Sequence, residues 1–125
     1  MLGDANVYAM LAVKDLGKAK QFYEGTLGLE SVNEDENAVI YRSGNNKVRV
    51  YVSGMAGTNQ ATAASWEVDD VEGMVEELKS RGINFEHYDM PGMTREGDVH
   101  SMGGGVKAAW FKDPDGNILC VGNEV

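Results

Sequence analysis

The sequence predicts an α+β fold in which two βαβββ modules pair into a half-barrel around a cleft. Three observations carry this reading. The order strand, helix, strand, strand, strand occurs twice along 125 residues. The two halves superpose, with matched signals at both ends of each helix. A tight-turn sequence, Asp113-Pro114-Asp115-Gly116, joins the last two apolar runs. Each half, with four strands and one helix, has too little apolar area to be stable alone and gains a core only by closing against the other.

The elements follow in order. Residues 7–13 form an apolar run of strand length, and Asp15 then offers an N-cap to a segment whose Leu16, Ala19, Phe22, Tyr23 and Leu27 recur at helical spacing. Gly28 ends that helix. Strand-like runs follow at 30–33, 38–42 and 47–52, separated by polar turns at 34–37 and Gly44-Asn45-Asn46. After a loop over 53–60, a strand over 62–68 leads through Asp69-Asp70 into a helix with Val71, Met74, Val75 and Leu78 on one face, closed by Gly82. Residues 83–88 read as a strand. Residues 89–105 form a long insertion rich in glycine and methionine, expected to be a lid, with Gly103-Gly104-Gly105 as its hinge. In the final turn Pro114 fixes φ, both aspartates supply acceptors and Gly116 supplies a positive φ.

The repeat aligns Val13-Lys14-Asp15-Leu16 with Val68-Asp69-Asp70-Val71, and Leu27-Gly28-Leu29-Glu30 with Arg81-Gly82-Ile83-Asn84, leaving one residue fewer in the second helix. A single domain over 1–125 is expected, with module one at about 5–53 and module two at about 62–123.

Eleven basic residues against 20 acidic ones give a formal charge of −9, a field that repels phosphate backbones and anionic lipid heads. Neither nucleic acid nor a membrane is an expected partner. One cysteine excludes an intramolecular disulfide framework, and no apolar run approaches the roughly 20 residues that span a bilayer. The start, Met1-Leu2-Gly3-Asp4, lacks the basic and apolar regions of a signal peptide, so a soluble cytoplasmic protein is expected. There is no Gly-x-Ser-x-Gly elbow and no phosphate-binding Gly-x-x-x-x-Gly-Lys. His87 and His100, on either side of a flexible loop, lack the close spacing of a zinc pair and read as surface or lid histidines.

With the repeat in place, Val13-Lys14-Asp15-Leu16, Phe22-Tyr23, Leu27-Gly28-Leu29-Glu30, Val68-Asp69-Asp70-Val71 and Phe111-Lys112-Asp113-Pro114-Asp115-Gly116-Asn117 resemble the vicinal oxygen chelate superfamily. That superfamily holds glyoxalase I, the bleomycin resistance proteins, fosfomycin resistance enzymes and extradiol dioxygenases. The resemblance implies metal ligands, His, Gln or Glu, on the first and last strand of each module. Counted from the motifs, those places hold Tyr8, Ala63, Cys120, and Arg49 or Tyr51. Alanine has no donor, Arg49 is cationic and a lone thiol builds no site, so no metal and no cofactor is expected. The resemblance also implies a homodimer.

Strand alternation sets which residues face the cleft. The first strand contributes Tyr8, Met10 and Ala12, and the run over 47–52 contributes Arg49 and Tyr51, its valines Val48, Val50 and Val52 going to the core. The second module adds Ala63, Ser65, Glu67, Ile118 and Cys120, with Trp66 on the core side and Trp110 unassigned. The expected ligand-binding set is therefore Tyr8, Met10, Arg49, Tyr51, Ser65, Glu67, Ile118 and Cys120, suited to a small organic molecule. Arg49 and Glu67 read equally as ligand clamps or as a cross-cleft salt bridge, and Cys120 reads as a small hydrophobe. The functional expectation is a metal-free small-molecule binding protein, for drug or toxin sequestration. The alternative is a lyase, isomerase or dioxygenase of the same superfamily using a lid or cleft residue, Glu67, His100 or Cys120, as catalytic group, or an unrecognised metal site. A structural module that only dimerises is the third.

Overall fold

Asp15 caps the first helix as its position predicts. In the computed structural model, which describes residues 1–123, its carboxylate accepts the backbone N–H groups of Gly17 at 2.7 Å and Lys18 at 3.3 Å. Strand β1 (Ala9–Val13) precedes it, and the helix runs as α1 (Leu16–Lys20) directly into a π-helical stretch over Gln21–Thr26. A single α-helix was expected here. A π turn holds one residue more than the α turn it replaces, and the repeat alignment shows module one with one residue more between its aligned Asp15 and Gly28. The surplus residue is absorbed in the helix, and the Leu27 N–H reaches back five residues to the Phe22 carbonyl at 2.9 Å.

Strands β2 (Glu30–Glu34), β3 (Ala38–Ser43) and β4 (Asn46–Val52) complete a four-stranded sheet of order β1-β4-β3-β2, with β1 and β4 parallel. Module two repeats the plan with β5 (Thr62–Glu67), α2 (Val71–Ser80), β9 (Lys107–Lys112) and β10 (Ile118–Gly122), where β10 lies between β5 and β9 as β4 lies between β1 and β3. Asp70 caps α2 through the Gly73 N–H at 3.0 Å. The strand that should match β2 is split. Its first half is β6 (Phe85–Glu86), much shorter than the expected run over 83–88, and its second half is β8 (Val99–Ser101); both pair with the same edge of β9.

Between those halves the chain makes a hairpin from β7 (Thr94–Glu96) to β8. The segment expected to be a structureless lid is thus partly an extension of the sheet. Nor is the glycine triplet a hinge. All three glycines have positive φ, and Met102 N–H to Val106 O and Val106 N–H to Gly103 O bonds close a tight turn between β8 and β9.

The helix-facing sides of both sheets merge in one core in which Leu11, Tyr23, Val50 and Val71 meet Phe111 and Leu119. Val52 departs from its expected place. It belongs to the last ladder pair, where the chain leaves the sheet for Ser53, and is 42% exposed.

The modules touch along β1 and β5, which run side by side without a shared ladder. Polar contacts hold the seam. Asp113, 5% exposed, accepts four hydrogen bonds: from the Asp115 and Asn117 backbone N–H groups on Oδ1, and from the Tyr23 hydroxyl (2.7 Å) and the Asn117 amide (2.8 Å) on Oδ2. The same Asn117 amide donates to the Ala12 carbonyl at 2.7 Å, and the Lys14 N–H donates to Asp115. Gly57, with φ +72°, packs so closely on this turn that a Cβ would collide with the Asp115 carbonyl. In the opposite direction, the Trp66 indole N–H of β5 donates to Ser43 Oγ at 2.9 Å. Trp66 therefore sits on the core side, as expected.

Tyr23→Phe leaves the ring volume intact and removes one donor from a buried carboxylate. A loss of about 1–3 kcal/mol is expected in chemical denaturation, since the partner is charged and screened from water. Tyr41→Phe, whose hydroxyl bonds the part-exposed Glu24, is expected to cost less. Equal losses in the two variants would show that the Asp113 contact is an ordinary one.

Candidate functional site

The faces turned away from the helices carry the residues expected to bind ligand. Across the first sheet, Met10, Arg49 and Ile40 stand in one row, and Ala12, Tyr51 and Ala38 in the next. Met10, on the end strand of the first sheet, is 51% exposed, and Tyr8 just precedes β1. Across the second sheet, Ser65, Cys120, Trp110 and Glu86 stand in one row. Trp110, unassigned from sequence, thus lies on the same face as Cys120.

Within one chain these residues do not gather round one cavity. Arg49 lines a small recess with Asp35 and Ile40, Tyr8 lines another with Asn45 and Lys47, and Ser65 borders a third with Trp66. Ile118 lines a cavity of about 380 Å³ together with Thr62, Tyr88, Met90, Met93 and Trp110. Among the described residues, no salt bridge joins Arg49 to Glu67.

Sequence reasoning missed the aromatic wall of that cavity. Tyr88 and Trp110 meet edge to face with centroids 5.5 Å apart, and His100 stands against Trp110 at 5.0 Å. The Trp110 indole N–H donates to Thr62 Oγ1 at 3.1 Å. The available signal was the strand alternation from Phe111, which puts Trp110 opposite the core.

His100 is neither a surface nor a lid histidine. It is 0% exposed, and its Nε2 accepts the Tyr88 N–H at 2.9 Å, filling the break between β6 and β8 where Tyr88 has no ladder partner. Accepting at Nε2 fixes the neutral tautomer with the proton on Nδ1, an atom with no hydrogen-bond partner among the described residues. Burial pushes the imidazole below its ordinary value of 6.5, and Arg95, its cross-strand partner, and His87 push the same way. His87 is at the surface, where it meets Asp98 at 2.7 Å, while Lys79 of α2 approaches the other Asp98 oxygen at 3.0 Å. This pair of contacts ties the hairpin to the second helix and holds the Asp98 carboxyl below its usual range.

Cys120 is 4% exposed, and burial raises its thiol above the ordinary value, partly offset by a hydrogen bond with Ser65. It stays a neutral thiol near pH 7. The places matching the superfamily's metal ligands thus present a phenol, a methyl group, a guanidinium or second phenol, and a buried thiol. Among the described residues, no three His, Cys, Asp or Glu side chains come together to hold an ion. The donor set does not fit a divalent metal.

The architecture, two open sheets each with its helix, side by side along β1 and β5 and sharing one core, is that of a glyoxalase-type scaffold. A model of the Glyoxalase/Bleomycin resistance protein/Dioxygenase superfamily matches residues 6–121, and the chain belongs to that superfamily. Among solved structures, it is similar to a bleomycin resistance determinant encoded on the transposon Tn5, with 24% identity, a TM-score of 0.72, and 96% of this chain and 98% of that one covered. A glyoxalase family protein from Enterococcus faecalis matches with 18% identity and a TM-score of 0.74 over 98% of this chain and 99% of that one. Lactoylglutathione lyase from Agrobacterium tumefaciens matches with 20% identity and a TM-score of 0.70 over 95% and 92%. At these identities the likeness establishes the fold. Among the described residues, no helix is long and apolar enough to cross a membrane.

Two outcomes are expected at these residues. Cys120 in the folded protein reacts with iodoacetamide at least about tenfold more slowly than free cysteine, measured by mass spectrometry, because its thiolate is disfavoured and covered. His100 binds a proton less readily folded than unfolded, so its contribution to stability is complete above pH 6.5 and is lost as pH falls through its lower folded value. Stability in denaturation curves should fall as pH drops below about 6.5. His100→Gln, which keeps an acceptor for the Tyr88 N–H, should flatten that slope, and an unchanged slope would refute the assignment.

Proposed function

We propose that this protein is a metal-free small-molecule binding protein that works by sequestration, and that it does so as a homodimer. The observation that carries the reading is the donor set at the four ligand places, where Tyr8, Ala63, Arg49 or Tyr51, and Cys120 replace the His, Gln and Glu side chains a divalent ion needs. A scaffold that has lost the ion retains the concave faces the ion once served. Similarity to a bleomycin resistance determinant accords with binding, and similarity to a lyase leaves room for catalysis.

The exposed rows support the dimer. Met10, Ile40 and Tyr51 form an apolar stripe on the open face of module one, with Met10 half exposed, and Ile118 lies on the open face of module two. A second copy, related by a two-fold axis, covers both at once by laying module one of each chain over module two of the other. Two equal clefts result, in which Tyr8, Met10, Arg49 and Tyr51 of one chain face Ser65, Glu67, Ile118 and Cys120 of its partner. Arg49 and Glu67 then supply one charge of each sign at the rim.

The enzyme alternative draws no support from the candidate groups. Glu67 is exposed, His100 is sealed behind Trp110 and Tyr88, and Cys120 is a covered neutral thiol.

The expected mass in solution is twice the 13.5 kDa of one chain, read by light scattering, and Met10→Asp should shift it toward the monomer. Elemental analysis of protein purified without added metal should find metal well below one ion per chain. Stoichiometric zinc, nickel, iron or manganese that survives dialysis against a chelator would overturn the metal-free reading.

A further inference from the structure

The cavity beside the inserted hairpin has a chemistry distinct from the rest of the open faces. We infer that it is a binding site for an uncharged, flat, largely apolar ring compound, held between the Trp110 and Tyr88 wall and the methionines Met90 and Met93. This rests on the binding-protein reading above and adds the class of ligand.

Size and lining agree. About 380 Å³ falls within the range of small-molecule pockets, roughly 300–1,000 Å³. Trp110, Tyr88, Ile118, Met90 and Met93 supply apolar surface, and no charged side chain lines the space. On the same sheet face, Glu86 opposite Trp110 and Lys112 opposite Ile118 pair with each other at 3.5 Å. A carboxylate or ammonium entering here loses hydration and finds no counter-ion, a cost that an uncharged ring escapes. In a chain of net charge −9 such a neutral recess also escapes the repulsion that an anion meets elsewhere.

The two walls differ in stiffness. The Trp110 ring is held by its Thr62 bond and by the buried His100 at its edge, while His100 also fixes the Tyr88 backbone. Since the indole N–H is already committed to Thr62, what Trp110 offers a ligand is apolar ring surface, for which another flat ring is a favoured partner. The opposite side is made of two thioethers, which repack around different outlines. The Tyr88 phenol, raised above its ordinary value by burial and by Glu86, stays protonated, and with the Gln60 amide it offers one or two polar contacts to orient the ligand.

A matched pair of fluorescent probes tests the inference. N-phenyl-1-naphthylamine is uncharged, and 1-anilinonaphthalene-8-sulfonate carries the same rings with one sulfonate. In the Trp66→Phe background, where Trp110 is the remaining tryptophan, the uncharged probe should quench Trp110 emission and bind at least about tenfold more tightly than the sulfonate. Met90→Asp/Met93→Asp should weaken the uncharged probe by at least about tenfold. Met93→Glu alone should weaken it less. Met55→Asp, at an exposed methionine outside the cavity, should leave it unchanged.

Equal or tighter binding of the sulfonate, or binding indifferent to the methionine changes, would overturn the site. So would a result in which Met90→Asp/Met93→Asp alters the mass in solution and the wild type binds no probe, because a second copy would then be what fills the cavity. Stoichiometric metal elsewhere in the protein would overturn the metal-free reading and leave the probe result standing, so the two proposals fail separately.

Discussion

A carboxylate buried at the junction of the two modules, that of Asp113, is the constraint on which the rest of the structure turns. Burying an ionised group costs several kcal/mol unless its lone pairs are filled. Here all four bonds are supplied without a cation, two by the turn's own backbone, one by Asn117 and one by Tyr23 from the other module. The turn can form locally, but the shell is complete only when module one is in place. That makes the interaction a test of docking as well as a contact within it. Tyr23 is suited to the part, since burial and the Asp113 charge raise its phenol far above its ordinary value and keep it a donor.

The π-helical stretch belongs to the same device. One residue more in the first helix than in the second would rotate every later side chain by about 100° if it continued as α-helix. Winding the extra residue into Gln21–Thr26 lets Phe22 and Tyr23, adjacent in sequence, serve different partners, Phe22 beside Phe111 and Tyr23 on Asp113 and near Tyr41. The sequence alignment already contained the surplus residue. What it could not contain was the choice between a longer helix, a bulge in the loop and a π turn, because that choice is made by Asp113, 90 residues away.

Legibility elsewhere follows the same division between local and distant causes. The caps at Asp15 and Asp70, the glycine stops at Gly28 and Gly82, and the alternation that put Leu11 inward and Met10 outward are local, and they were readable. The second module's edge was not. A run over 83–88 has the composition of a full strand, yet the hairpin inserted after it brings β8 to compete for the edge of β9 and leaves β6 only two ladder pairs. His100 marks the junction, and its polarity suggested the surface because nothing in its neighbours in sequence announces that a backbone N–H at Tyr88 needs an acceptor. Alternation sets which side of its own strand a residue such as Met10 or Arg49 takes, whereas convergence depends on how faces meet across the two modules and, in the dimer proposed above, across two chains.

The inserted hairpin then accounts for the apolar recess on the open face of the second module. In module one the full-length β2 closes the sheet edge, and every residue of that strand is exposed. In module two the missing half-strand is replaced by a detour through Met90 and Met93 that rises over Trp110 before returning as β8. The detour is fastened at both ends. Asp98 binds His87 and Lys79 on the outer side, and His100 binds Tyr88 beneath. A loop held at its base and left free at its tip keeps a cavity open at a low cost in ordering, because only the methionine side chains need to settle when the space is filled. The detour stands on the same sheet face as Cys120, which pairs directly with Trp110.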